Sequence, residues 1–112
     1  MSYRTEGLKF MWMMVMFDLP TDTPEERREA ARFRNFLLDI GFEMSQYSVY
    51  IRFVGPRERC VKFTNTLKAN NPKTGSVNIL FFTDTQFGDI IHLDRERAGA
   101  PLRNIPEQLM LF

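Results

Sequence analysis

Cysteine and histidine are almost absent from this 112-residue chain, with one of each, Cys60 and His92. A lone cysteine excludes an intrachain disulfide and a multi-cysteine zinc site, and is consistent with a reducing compartment. A lone histidine argues against Ser-His-Asp or Cys-His catalysis, and a histidine metal site would need several chains. Excess charge is missing too: 15 Lys and Arg against 14 Asp and Glu give a formal +1. That balance excludes a uniformly basic nucleic-acid binder but leaves room for a local patch. No apolar run approaches the length that spans a bilayer, and the cleavage pattern of a signal peptide is not seen. A cytoplasmic protein without membrane contact is therefore expected. There is no G-x-x-x-x-G-K loop, no dinucleotide fingerprint, and no aromatic signature of RNA-recognition modules.

What the chain does have is apolar weight, with 11 Phe and 7 Met. The length suits a single domain over residues 1–112, with its core in about 10–87 and a tail in 88–112. Phe10 to Phe17 (FMWMMVMF) is apolar throughout and stops at the turn signal Asp18-Leu19-Pro20, which predicts a strand covered on both faces. A helix start follows: Thr23 at the N-cap, Pro24 at the first position, and Glu26 closing a T-x-x-E capping box. Phe33, Phe36, Leu37 and Ile40 then form one apolar stripe, and Gly41 ends the helix.

Phe42 to Val54 reads as two short strands or one bent strand, with the break near Gln46-Tyr47-Ser48. A second helix is predicted over Arg57 to Ala69, with Cys60, Phe63, Thr64 and Leu67 inward, and Asn70-Asn71-Pro72 stops it. Ser76 to Thr83 is a last core strand. The order β-α-β-β-α-β defines an α+β, ferredoxin-like sandwich, one antiparallel sheet with two helices on one face. Strands apolar on both sides leave the second face needing cover, and a homodimer stacking sheet on sheet is the simplest closure. The apolar stretches of the tail, Ile90 to Leu93 and Leu109 to Phe112, are expected to add edge strands or to dock a partner.

Asp18 is the leading chemical candidate, because open sheets often place functional groups at the carboxyl ends of central strands. Near a two-fold axis two such carboxylates would repel, and a divalent cation would relieve them. The alternative is an aspartate that only starts the Leu19-Pro20 turn. Arg27, Arg28, Arg32 and Arg34 face a single acid, Glu29, within their own stretch. Arg52, Arg57, Arg59 and Lys62 likewise face only Glu58. Such arginines are either a solvated face or a phosphate-binding surface without base readout.

The series M-V-M-F-D-L-P-T, then E-E-R-R with F-R-N-F-L, then D-I-G-F and S-Q-Y-S-V-Y-I-R resembles the second CRISPR-associated protein family, Cas-two, in its type II form. The resemblance runs from about Phe10 to Phe87. It implies a ferredoxin-like homodimer that bridges two dimers of the CRISPR integrase, Cas-one, and holds the double-stranded DNA prespacer during spacer acquisition. It also implies metal-dependent endonuclease activity on RNA or DNA, with the strand-end Asp18 as magnesium ligand and catalytic residue. Arg27, Arg28, Arg32, Arg34 and Arg52 are the expected nucleic-acid contacts. The other readings are a purely structural adaptor without catalysis, since one carboxylate per chain is a thin ligand set for phosphodiester chemistry, or a ferredoxin-like regulatory domain that binds a small ligand.

Overall fold

The computed structural model describes residues 10–93. Four strands, β1 (Phe10–Asp18), β2 (Glu43–Gln46), β3 (Val49–Pro56) and β4 (Ser76–Thr83), alternate with helices α1 (Pro24–Asp39), α2 (Arg57–Ala69) and the short α3 (Asp84–Gly88). The sheet order is β2-β3-β1-β4, and every neighbouring pair is antiparallel. This is the ferredoxin-like α+β arrangement expected from the element order.

Local chemistry sets the boundaries. The Thr23 hydroxyl accepts from the Glu26 amide at 3.1 Å, while the Glu26 carboxylate accepts from the Thr23 amide at 2.9 Å, closing the capping box. Gly41, with φ +94°, carries the chain out of α1, a left-handed turn that costs a residue with a Cβ more than glycine. The break in Phe42 to Val54 falls between Gln46 and Val49, where the sequence suggested it.

β1 lies in the middle of the sheet, and alternation sends its side chains both ways. Met11, Met13, Val15 and Phe17 face the helices and join Phe33 and Leu37 of α1, Cys60 and Leu67 of α2, and Phe42, Tyr50 and Val54. Full burial of one such side chain contributes about 1.5–3 kcal/mol, so this layer dominates the stability. Burial also pushes the Cys60 thiol up, against the smaller pull of Arg57, leaving it an inert core residue.

The second face differs from expectation in one respect: α3 covers part of it. The Thr83 hydroxyl accepts from the Gln86 amide at 3.2 Å and the Gln86 side chain returns the bond at 2.9 Å, a second capping box. The turn it starts folds Phe87 flat onto Trp12, with ring centroids 4.2 Å apart and planes at 6°. Trp12, Ile51 and Phe87 form a separate small core, flanked by Met14, Phe82 and Ile90. Ile90 to Leu93 adds no edge strand to this sheet; it lies over Met14 and Met16 and lines a cavity of about 210 Å³ with them. Leu109 to Phe112 lies outside the described residues. Phe10, Met16 and Phe53 on this face remain 40–45% exposed. Among the described residues no helix is long and apolar enough to cross a membrane.

Candidate active site and nucleic-acid interface

Asp18 closes β1 opposite Ser76 of β4 and is exposed. Two chain segments fix it from the sides. Ser48, in the β2–β3 turn, has φ +65°, and its carbonyl accepts the Phe17 amide at 3.1 Å, fastening the turn to the end of β1. On the β4 side Gly75, with φ +85°, comes so close that a Cβ there would lie 2.5 Å from the Asp18 carbonyl oxygen and 2.8 Å from Leu19 Cδ2.

Gly75→Ala therefore forces either the strand end or the turn to move and adds the strain of a left-handed alanine. The expected loss is about 1–3 kcal/mol, visible as a thermal midpoint lower by at least about 4 °C. A midpoint equal to wild type would show that Gly75 does not hold Asp18 in place.

The loop leaving Asp18 is tied to α1. The Arg27 guanidinium donates to the Thr21 carbonyl at 3.0 Å and to that of Asp22 at 3.3 Å, and the Glu26 carboxylate accepts the Asp22 amide at 2.8 Å. Asp18, Thr21, Arg34, Tyr47 and Ser48 line one cavity of about 240 Å³. Arg34 is half-buried there and has no hydrogen-bond or ion-pair partner among the described residues. Tyr47 is 83% exposed at the rim.

The other candidate arginines stand apart from this cavity and differ in what holds them. Arg32 grips Glu29 through two bonds of 3.0 and 2.9 Å and donates a third to the Asn70 carbonyl at 3.1 Å, joining α1 to the end of α2. This fork holds the Glu29 carboxyl below the usual carboxylate range and raises Arg32. Arg28 reaches Glu25 only at 3.8 Å with both side chains exposed, a contact worth about 0–0.5 kcal/mol.

Arg52 is built into the helix side. Its Nε donates to the Ile40 carbonyl at 2.9 Å, a second nitrogen donates to the Phe53 carbonyl, and the guanidinium lies 4.5 Å over the Phe63 ring. Gly41 makes the room, since a Cβ there would be 2.8 Å from Arg52 Nε. Burial, and then the charge of Arg59, lower the Arg52 pKa from its ordinary value. Arg52, Arg59 and Lys62 line a cavity of about 390 Å³ floored by Ile40 and Phe63, and no carboxylate lines it. It is a basic concavity suited to an anion.

Of the arginines singled out in the sequence, then, Arg34 joins Asp18, Arg27 holds the loop behind it, and Arg28, Arg32 and Arg52 lie elsewhere. Sequence reasoning passed over Gly75 and Tyr47. A lone glycine in K-T-G-S before a strand was the available sign of a left-handed turn.

Fold and site together define a small ferredoxin-like protein with an exposed carboxylate at the end of its central strand, one arginine in the same cavity, and a separate basic concavity on the helix side. The family model for CRISPR associated protein Cas2 matches residues 11–90. A Paracidovorax avenae protein named CRISPR-associated endoribonuclease Cas2 is 42% identical over 106 residues, covering 95% of this chain and 97% of its own. Proteins of the same name from Parvibaculum lavamentivorans and Streptococcus mutans are each 45% identical, over 91% and 78% of this chain and 100% and 80% of their own. The chain belongs to the Cas2 family.

Proposed function

We propose that this protein is a CRISPR adaptation subunit: a cytoplasmic homodimer that binds duplex DNA, bridges integrase dimers during spacer acquisition, and carries a magnesium-dependent phosphodiesterase site at Asp18. The observation that carries the nuclease part is the pairing, in one cavity, of exposed Asp18 with half-buried Arg34, whose charge no described residue answers. A phosphodiester would bring the missing negative charge. Relatives at 42–45% identity bear the name endoribonuclease, which supports the same reading.

The fit to magnesium has a condition. Among the described residues no three His, Cys, Asp or Glu side chains gather into a metal site. Magnesium tolerates a sparse donor set when it keeps its waters and takes substrate phosphate as a ligand. Asp18 would hold it, joined by the same carboxylate of a second copy or by the substrate. The ion would supply neutralising charge at the phosphate. In this chain Asp18 supplies the anionic anchor, Arg34 a half-buried cation for a phosphate oxygen, and Gly75 and Ser48 the backbone that keeps the anchor in place.

The bridging part rests on the apolar second face and on the arginines of α1 and β3. Isothermal titration of magnesium into the protein with and without a phosphodiester oligonucleotide tests the site. Metal uptake that rises with oligonucleotide and vanishes in Asp18→Asn is expected; uptake independent of Asp18 would overturn it. For the DNA surface, Arg28→Ala is the cleanest probe, because Arg28 makes no bond that the fold needs. Its expected effect is a fall of about 1 in the slope of log affinity against log salt, with no change in thermal midpoint. An unchanged slope would show that the duplex runs elsewhere.

A further inference from the structure

The concavity on the helix side shares no residue with the Asp18 cavity. Three elements meet there: Ile40 caps α1, Arg52 comes from β3, and Arg59, Lys62, Phe63 and Thr66 lie on α2. The four α2 positions are spaced at i, i+3, i+4 and i+7, so one helix face carries two cations beside an aromatic ring. Arg52 is already set in place against that face. Its Nε donates to the Ile40 carbonyl at 2.9 Å, and its guanidinium lies 4.5 Å over the Phe63 ring. Burial and the charge of Arg59 both work against the Arg52 cation, so an incoming anion relieves a cost the fold already carries. Arg59 reaches the Val54 carbonyl only at 3.4 Å, and Lys62 is exposed beside it.

We infer that this concavity binds a small phosphate monoester carrying an apolar ring, with the dianion among Arg52, Arg59 and Lys62 and the ring against Ile40 and Phe63. The site stands apart from Asp18 and needs neither metal nor nucleic acid. Its volume of about 390 Å³ suits the class, since small organic ligands occupy sites of about 300–1,000 Å³ with apolar walls and a few charged groups. No carboxylate lines it, so the positive charge is left for a ligand to answer. Two guanidinium forks and an ammonium match a terminal phosphate, whose oxygens take charge-assisted bonds from separate donors. A backbone diester brings one charge and no apolar body, and it leaves the Ile40–Phe63 floor unfilled. A ligand seated there ties the end of α1 to α2 and β3, and so stabilises the folded chain.

The probe is phenyl phosphate, titrated calorimetrically into the full chain in chelator, with inorganic phosphate and phenol as controls. Wild type should bind it at least about ten-fold more tightly than either control, because each supplies only half of the match. At about 100 times its dissociation constant, phenyl phosphate should raise the thermal midpoint by at least about 5 °C. Lys62→Ala and Arg59→Ala should each weaken binding about ten-fold, and Lys62→Arg should stay within about three-fold of wild type. Both side chains are exposed on α2, so circular dichroism of the variants should match wild type. Folded wild type that takes up no phenyl phosphate at millimolar concentration would overturn the inference. Equal affinity for inorganic phosphate, or undiminished affinity in both alanine variants, would do the same. Displacement of bound phenyl phosphate by an equimolar duplex of mixed sequence would also overturn it, giving the concavity to nucleic acid.

Discussion

Met16→Asp is expected to turn a dimer into a folded monomer. Met16 shares the second sheet face with Trp12 and Met14, is 40% exposed, and takes no part in either buried cluster. Phe10 and Phe53 stand on the same face, 45% and 40% exposed, with ring centroids 5.8 Å apart. A second copy laid sheet on sheet would cover all three, and the α3 contact of Phe87 with Trp12 would become the edge of that interface. Placing a carboxylate there without a partner costs several kcal/mol on association. Dimer affinity should therefore fall more than about 100-fold, while the thermal midpoint of the monomer changes little. Phe82→Asp is the poorer probe, because Phe82 flanks the Trp12–Phe87 cluster and its loss strikes the fold as well. Light scattering at micromolar concentration measures the outcome. A wild-type protein that is wholly monomeric there would end the sheet-on-sheet dimer, and a Met16→Asp variant that stays dimeric would move the interface elsewhere.

Elements whose cause is local were legible in the sequence. The doubly apolar run of β1, the Thr23 capping box and the span of α2 each follow from a few neighbouring residues, and each stands where it was expected. The α3 turn was equally local, since Thr83 and Gln86 are three apart, but its signature follows directly on an apolar strand and escaped notice. The site was less legible because chain-distant contacts make it. Asp18, Arg34 and Tyr47 come from β1, α1 and the β2–β3 turn, and only the packed sheet brings them to one cavity. The arginines show the same limit. Composition counted them as one basic surface, yet Arg32 reaches the Asn70 carbonyl 38 residues away and Arg52 lies over Phe63 of α2. Their sequence spacing carries no trace of those partners, so Arg28, free of such bonds, could not be told from Arg32.

Asp18→Asn should separate chemistry from assembly. Asparagine keeps the size of the side chain and its capacity to start the Leu19-Pro20 turn, and loses the charge. Because Asp18 is exposed, and the backbone around it is held by the Phe17–Ser48 bond and the Ser76 pairing, the fold should be unaffected. Without the carboxylate, the cavity keeps the Arg34 cation but has no anion to share a metal with substrate. Metal-dependent cleavage of an oligonucleotide should fall at least about 100-fold, the scale seen when one group that stabilises transition-state charge is removed. On the proposed reading, dimerisation, duplex binding and integrase bridging would rest on the apolar face and on arginines outside this cavity, so spacer integration should persist at wild-type level. The decisive comparison runs cleavage and integration on the same preparation of the variant. Cleavage undiminished by the substitution would place the chemistry away from Asp18. Integration lost in a variant with a wild-type thermal midpoint would show that the strand-end carboxylate also serves assembly.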